Sequence, residues 1–327
     1  MDPLIEARAL RKEFAPTRSL RDVFSRGGNA VMRAVNGVDL SIARGESVGL
    51  VGESGSGKTT LGRMLLKLTP ISGGTLRFDG DDVTAMDAAR TRRYRGQAQL
   101  VFQNPFDALN PRFTVARAVG EPLVNTGVAR ADRRSRIEAA LRLVHLPGDE
   151  TTLQKYPHQM SGGQLQRVVL ARALVLKPIF LIADEPVSML DVSVRAGVLN
   201  LLREVRDELG LTALYISHDL ALVRYVCVRT MVLYAGTVVE DGPTETVIRH
   251  PGHPYTRALI AAVPRPHVDQ PRDPLPIRPG GIAAPGGCRF RARCPHAFAR
   301  CDAEIPVLRE IAPGHLSACH LHEQAAA

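Results

Sequence analysis

The stretch Gly52-Glu53-Ser54-Gly55-Ser56-Gly57-Lys58-Thr59 decides how this chain folds. It satisfies G-x-x-x-x-G-K-[ST] at every fixed position, and its flanks are those the pattern requires. Ser47 to Val51 reads as a strand entering it. Leu61, Met64, Leu65 and Leu68 fall on one face of a helix leaving it, stopped near Pro70. The glycines let backbone N–H groups turn toward phosphate oxygens, and the helix adds its positive N-terminal end. Lys58 then supplies a point charge to the β- and γ-phosphates, and the Thr59 hydroxyl is placed to ligate Mg²⁺. Glu53, Ser54, Gly55, Ser56 and Thr60 complete the predicted nucleotide-binding set.

Two further elements narrow the reading. Ile179-Phe180-Leu181-Ile182-Ala183 is a second apolar strand that delivers Asp184 and Glu185 to its C-terminal end. Asp184 is placed to hold the Mg²⁺ shell and Glu185 to accept a proton from an attacking water; the alternative is an acidic pair that caps the next helix. Between loop and pair lies Ser161-Gly162-Gly163-Gln164, opening a helix that carries Leu165, Val168 and Val169. Its Ser hydroxyl, glycine N–H groups and helix N-terminus make a second anion site. One chain cannot fold both anion sites around the same γ-phosphate.

With these three elements in this order, the chain resembles the ATPase subunits of ATP-binding-cassette (ABC) transporters. The resemblance implies an α/β fold: a P-loop ABC-type nucleotide-binding domain with a RecA-like core, an antiparallel β subdomain and a helical subdomain. It also implies a head-to-tail dimer in which Ser161, Gly162, Gly163 and Gln164 serve the partner cassette's nucleotide. Met160 stands where the family usually has Leu, an apolar exchange of similar volume. By position, Gln103 matches the glutamine that touches the Mg²⁺ shell and faces the membrane subunits. Asp191 matches the loop that crosses the dimer interface, and His218 the switch histidine that contacts the γ-phosphate. Phe14 matches the adenine-stacking aromatic, the alternative being an edge-strand core residue. Val228 replaces the family's usual Asp, a departure that touches a local helix end rather than the ATPase site.

The C-terminal part resembles a narrower group. His250-Pro251-Gly252-His253-Pro254-Tyr255-Thr256-Arg257 is similar to the His-Pro-Tyr-Thr segment of oligopeptide/dipeptide importer ATPases, although a Pro at N1 ahead of Leu259 and Ile260 suits any helix start. From about 263 onward Pro264, Pro266, Pro271, Pro274, Pro276, Pro279 and Pro285 mark a linker. Beyond it Cys288, Cys294, Cys301 and Cys319 match that group's cysteine pattern and close the chain as a small Cys-rich extension. The intervening stretches of five, six and seventeen residues contain no Cys-x-x-Cys knuckle. Four thiolates suit a [4Fe–4S] cluster, which some relatives carry, with Zn²⁺ or unligated thiols as the alternatives. Remote in sequence from Lys58 and Glu185, this tail is expected to stabilise docking rather than to perform redox chemistry. Cys227 lies apart and reads as a core residue.

The organisation predicted is an ABC ATPase domain over 1–250, with a helical subdomain over 104–177 carrying the signature tetrapeptide, and a C-terminal extension over 251–327. Residues 1–14 alternate like an edge strand, and 15–33 read as an insertion. The 327 residues include 45% hydrophobic ones, ample for a core, while no Trp and 5% aromatics disfavour a base-stacking surface. The net charge of +9 is scattered Arg, densest over Arg90–Arg95 and Arg130–Arg136, and reads as solvated helix faces. No run approaches the roughly 18 apolar residues a membrane span needs. The N-terminal Met1-Asp2-Pro3-Leu4-Ile5-Glu6 does not read as a signal peptide, so a soluble, cytosolic chain is expected.

The expected function is the ATP-hydrolysing subunit of an ABC importer for oligopeptides or dipeptides, peripheral at the cytoplasmic face of the membrane. Its expected partners are a second ABC ATPase subunit, two transmembrane permease subunits and, indirectly, an extracytoplasmic peptide-binding protein. Nickel or another small solute is the alternative cargo. A non-transport ABC protein acting on nucleic acid or the ribosome is disfavoured, because no coiled coil or zinc module interrupts the cassette and no second cassette follows.

Overall fold

Apolar strands buried on both faces organise the first of two units in this computed structural model. That unit comprises Met1–Leu4, Ile42–Val48 and Ala85–Ser217, and the second Ile5–Ser41, Gly49–Thr84 and His218–Ala327. The structure describes residues 3–15, 32–262 and 277–324. Nearly all of the 15–33 insertion, and Pro264 to Pro276 of the linker, lie outside the described residues. The strands are β1 (Pro3–Phe14), β2 (Met32–Ala43), β3 (Ser47–Val51), β4 (Gly73–Phe78), β5 (Asp81–Asp82), β6 (Ala98–Val101), β7 (Phe180–Asp184), β8 (Thr212–Ser217), β9 (Arg229–Tyr234), β10 (Thr237–Pro243), β11 (Arg309–Ala312) and β12 (His315–Ser317).

In the first unit β6, β7 and β8 run parallel, with Ala98 opposite Phe180 and Phe180 opposite Thr212. Phe180 to Ala183 and all six residues of β8 are buried, which is why these strands read as unbroken apolar runs rather than as alternations. The chain between β6 and β7 is helical, chiefly Val115–Asn125, Arg130–Leu143 and Gly162–Leu174. Thr114 caps the first of these, its hydroxyl accepting from Arg117 N. The helix Gly162–Leu174 buries Leu165, Val168, Val169 and Leu170, and the other two pack on it. Their mutual approach is close at Gly120, where a Cβ would stand 2.9 Å from Ile137 Cδ1.

The second unit holds an antiparallel sheet ordered β2-β1-β4-β5. β1 is therefore an inner strand, not the edge strand its alternation suggested, since pairing on both sides leaves the same period-two pattern as pairing on one. The helix after the phosphate loop spans Lys58–Leu65 and buries Leu61, Met64 and Leu65. Leu68 lies beyond it and is exposed, because Lys67 takes a left-handed φ of 52° that ends the helix early.

The hairpin β9–β10 turns at Ala235-Gly236, both with positive φ, as a two-residue loop between right-twisted strands requires. The tail then adds strands of its own. β12 pairs with β10, Glu240 opposite Ser317, and β11 pairs with β12. Both are short and carry Arg309, Glu310 and His315, so no apolar alternation announced them.

Fully buried Glu240 fastens this region. Its carboxylate accepts from Gly252 N at 2.7 Å and His253 N at 2.8 Å, and faces His315 Nε2 at 2.7 Å. His253 Nδ1 in turn accepts from Tyr255 N at 3.0 Å, capping the helix Pro254–Ala261 with Pro254 at its first position. Tyr234, Tyr255, Phe290 and His253 form one ring cluster, with Tyr234 and Phe290 edge to face at 5.2 Å. Burial, reinforced by the like-signed His322 and Arg257, lowers the His253 pKa from 6.5 to about 3.

That shift has a defined pH signature. The unfolded chain takes up a proton at His253 before the folded chain does, so stability falls as pH drops through 6.5 and keeps falling toward 3. Across that window the loss from this residue is about 1.4 kcal/mol per pH unit. His253→Asn keeps a capping acceptor without the titration. Unfolding free energies from urea melts at pH 7 and pH 5 are expected to differ by about 2 kcal/mol more in the parent than in the variant. Equal acid sensitivity of the two would refute the assignment.

Candidate nucleotide site

Two glycines set the shape of the phosphate loop by letting it approach other backbone. A Cβ at Gly52, φ 156°, would stand 2.2 Å from Leu233 O, and one at Gly57, φ 104°, would stand 2.2 Å from Ala34 O. No side chain fits either position. The loop is tied to the hairpin turn, with Gly236 N donating to Ser56 O at 2.9 Å and Asn36 N to Gly236 O at 2.8 Å. Buried Lys58 donates from Nζ to Gly52 O at 2.7 Å and Glu53 O at 2.9 Å. Ser56 is buried too, and its hydroxyl has no hydrogen-bond partner among the described residues. Ser54, Gly55 and Thr59 are exposed and Thr60 half-buried. An ammonium, an unpartnered buried hydroxyl and a helix N-terminus around a glycine cradle form a donor set suited to a polyphosphate.

Glu53 is held from the C-terminal segment. Arg293 donates to its carboxylate twice, at 2.8 and 2.9 Å, and Glu53 N donates to the Tyr255 hydroxyl at 2.7 Å. The carboxylate partner raises the Arg293 pKa further, and burial raises that of Tyr255. The tail, remote in sequence, thus reaches the phosphate loop directly. Neither residue was singled out in the sequence for this role. Arg289, Arg291 and Arg293 alternate around Cys288 and Cys294, and nothing in that spacing marks the one that pairs with Glu53.

The first unit brings together two other groups of predicted residues. Gln103, exposed beyond the end of β6, donates from Nε2 to Glu185 Oε2 at 2.8 Å. Glu185 follows Asp184 at the end of β7 with a positive φ of 48°, its N–H bound to Ile216 O at 2.8 Å. A non-glycine residue held there is strained, a feature that concentrates at functional positions. Ser161 caps the helix Gly162–Leu174 through a reciprocal pair. Its hydroxyl accepts from Gln164 N at 3.3 Å, and Gln164 Oε1 accepts from Ser161 N at 3.1 Å. A Cβ at Gly163 would stand 2.6 Å from Val194 Cγ1, so this helix start abuts the segment that follows Asp191, itself exposed.

In the second unit His218 is exposed directly after β8. Phe14 is 38% exposed, with Lys12 Nζ 4.9 Å from its ring centroid, so its ring is not a core element. Cys227 is buried just past the helix Leu220–Val226. In the tail, Cys288 N donates to Cys301 O at 2.8 Å. Burial is the main cause of raised thiol pKa values at Cys288, Cys294 and Cys319, with neighbouring thiols pushing the same way; Cys319 reaches about 11. Among the described residues no three His, Cys, Asp or Glu side chains are grouped so as to hold a metal ion.

A phosphate loop, an acidic pair at a strand end and a capped Ser-Gly-Gly-Gln helix on parallel-stranded α/β architecture define an ATP-binding cassette. The chain belongs to the ABC transporter family: residues 35–188 match that family, and residues 239–301 match the oligopeptide/dipeptide transporter C-terminal region. It is 46% identical over 97% of both chains to a Brucella ovis protein provisionally named a peptide import ATP-binding protein. A second such protein, from Brucella abortus, is 46% identical over 90% of this chain and 89% of its own. Among solved structures, the dimeric ATP-binding cassette MJ0796 in a post-hydrolysis state bound to ADP and Pi superposes with a TM-score of 0.62, at 27% identity over 73% of this chain and 98% of that one. The cbiO1 structure from Clostridium perfringens, part of the ABC transporter complex cbiONQ, gives the same score and identity over 77% of this chain and 97% of that one. Like other ABC cassettes, the chain is an ATPase that uses ATP with Mg²⁺. No helix among the described residues is long and apolar enough to cross a membrane.

The contact at Gly163 yields a compensation test. Gly163→Ala forces its methyl against stiff, β-branched Val194 and is expected to cost about 1–2 kcal/mol despite the better helix propensity of Ala. Val194→Ala removes the obstruction, so the double variant is expected to unfold closer to the parent than the single one. Thermal unfolding of the four proteins measures this coupling. Strictly additive effects would show that the two residues do not press on each other.

Proposed function

We propose that this chain is the ATP-hydrolysing subunit of a peptide importer. The observation that carries the reading is the joining of a complete phosphate loop to the His253–Tyr255 segment through the Glu53 N–H, together with the names its relatives bear. In this reading Gly52 to Thr60 bind the triphosphate, and Lys58 neutralises the β- and γ-phosphates. Thr59, Gln103 and Asp184 would hold Mg²⁺, which would supply charge stabilisation at the phosphate oxygens. Glu185 accepts the proton of the attacking water, and the Gln103 amide bonded to it aims its carboxylate. His218 contacts the γ-phosphate and Phe14 stacks on the adenine.

Ser161, Gly162, Gly163 and Gln164 act in trans on the nucleotide of a second cassette, with Asp191 at the dimer interface. The dimer works from the cytoplasmic face of the membrane on two transmembrane permease subunits, which receive peptide from an extracytoplasmic binding protein. The domain assignment follows: an ATPase domain over 1–250, its helical subdomain over 104–177, and the extension over 251–327.

The four tail thiols are read as ligands of a [4Fe–4S] cluster. Four neighbouring thiols, two buried and two half-buried, support that donor set in kind. The same four thiols are also a chemically suitable donor set for Zn²⁺, and metal analysis decides between them. Bound there, the cluster would supply a cross-link between distant parts of the tail.

Two experiments test this. Glu185→Gln is expected to keep Mg-ATP affinity within about threefold and to lose roughly 100-fold or more in turnover. Lys58→Ala is expected to lose the binding itself. Near-parental hydrolysis by Glu185→Gln would remove Glu185 from the role of base. Metal analysis of anaerobically purified protein is expected to find about four irons per chain. One zinc per chain, or no metal, overturns the cluster.

A further inference from the structure

Glu53 occupies a free position of the phosphate-loop pattern, yet it is held by its backbone and by its side chain. Its carbonyl accepts from Lys58 Nζ at 2.9 Å and its N–H donates to the Tyr255 hydroxyl at 2.7 Å. Its two carboxylate oxygens take parallel bonds from Arg293 Nη1 and Nη2 at 2.8 and 2.9 Å. Two of these three holds come from residues more than 200 positions away in sequence.

The charge arrangement explains why the hold is needed. A carboxylate in a loop that receives a triphosphate repels it, and the Glu53 side chain is only 44% exposed, so water screens it incompletely. Arg293 cancels that charge with the planar two-pronged geometry that guanidinium supplies and ammonium cannot. The geometry of Arg293 itself is set by the turn between two tail thiols. Arg293 N donates to Phe290 O at 2.9 Å, Cys294 N to the same oxygen at 3.0 Å, and Arg293 O accepts from Arg278 N at 3.1 Å. Phe290 is anchored among Tyr234, Tyr255 and His253. Whatever orders the Cys288–Cys294 turn therefore orders the backbone from which the Arg293 side chain reaches Glu53.

We propose that Arg293 is a positioning residue of the nucleotide site, neutralising and fixing Glu53 so that the order of the cysteine-bearing tail sets the affinity of the phosphate loop for ATP. The proposal rests on the reading of that loop as the ATP site. It assigns the tail a part in nucleotide affinity beyond docking and requires no redox step.

The test uses the full-length chain, with Mg-ATP binding measured by calorimetry and turnover measured against ATP concentration. Arg293→Gln, which keeps most of the stem and loses the charge, is expected to raise Kd and KM about 5–10-fold with kcat within about twofold. Arg293→Lys is expected to fall between it and the parent. Glu53→Gln/Arg293→Gln removes the repelling charge as well and is expected to bind Mg-ATP more tightly than Arg293→Gln alone. The Arg293→Gln defect is also expected to shrink by half or more at high salt, as screening replaces the guanidinium. Tight parental binding with an unaltered Arg293→Gln overturns this inference alone. A double variant as weak as Arg293→Gln, with no salt dependence, overturns it in favour of a purely structural tail. A parental chain that binds no Mg-ATP overturns the nucleotide reading and this inference with it.

Discussion

The nucleotide loop depends on one steric constraint: its backbone passes within van der Waals reach of two other strands. At Gly52 and Gly57 a single carbon atom would collide with the carbonyls of Leu233 and Ala34. Close approach lets the loop hydrogen-bond to the β9–β10 turn through Ser56 O and Gly236 N. That turn needs positive φ at Ala235 and Gly236 for its own reasons of strand twist. A loop held at both glycines and at its centre has little freedom left. The backbone N–H groups it offers are thereby fixed before any phosphate arrives, which is the condition for a preorganised anion site.

A second constraint operates at the signature helix. Ser161 and Gln164 satisfy each other's backbone N–H groups, so the helix start is rigid without help from a ligand. Gly163 admits the Val194 methyl at that start, which couples the signature to the segment after Asp191 by contact rather than by hydrogen bond. Glu185 shows the complementary device. Its left-handed φ is held by the bond from its N–H to Ile216 O, and its carboxylate is aimed by Gln103. Backbone strain is tolerated there because neighbouring strands over-determine the position.

Much of this was legible in the sequence, for identifiable reasons. Strand β3 is a continuous apolar segment bounded by turn residues, and its limits as read, Ser47 to Val51, are those observed. The start of the signature helix was legible because Ser-x-x-Gln is a cap with a mechanism. Features decided by pairing were not legible. The alternation of β1 is compatible with an edge or an inner strand, and only its neighbours distinguish them. Leu68 fitted the helical face by spacing, but Lys67 ends the helix through a backbone angle that no side-chain pattern encodes. β11 and β12 carry charged residues whose burial or pairing is supplied by the tertiary fold, as His315 against Glu240 illustrates.

The tail exposes the limit of arguing from sequence distance. Some 40 residues rich in Pro and Arg were expected only to stabilise docking, because they are far along the chain from Lys58. In the structure so short a segment borrows its core. Phe290 fills a ring cluster whose other members are Tyr234 of β9 and His253 and Tyr255 of the adjoining segment, and β12 completes its backbone bonding on β10. A segment that borrows its core shares the fate of what it packs on. Tyr234 is the last residue of the strand that leads into the Ala235-Gly236 turn, and that turn is bonded to Ser56 of the phosphate loop. The ring cluster and the phosphate loop thus load the same hairpin from its two sides. Displacing Phe290 is therefore expected to reach the loop through Tyr234 and that turn.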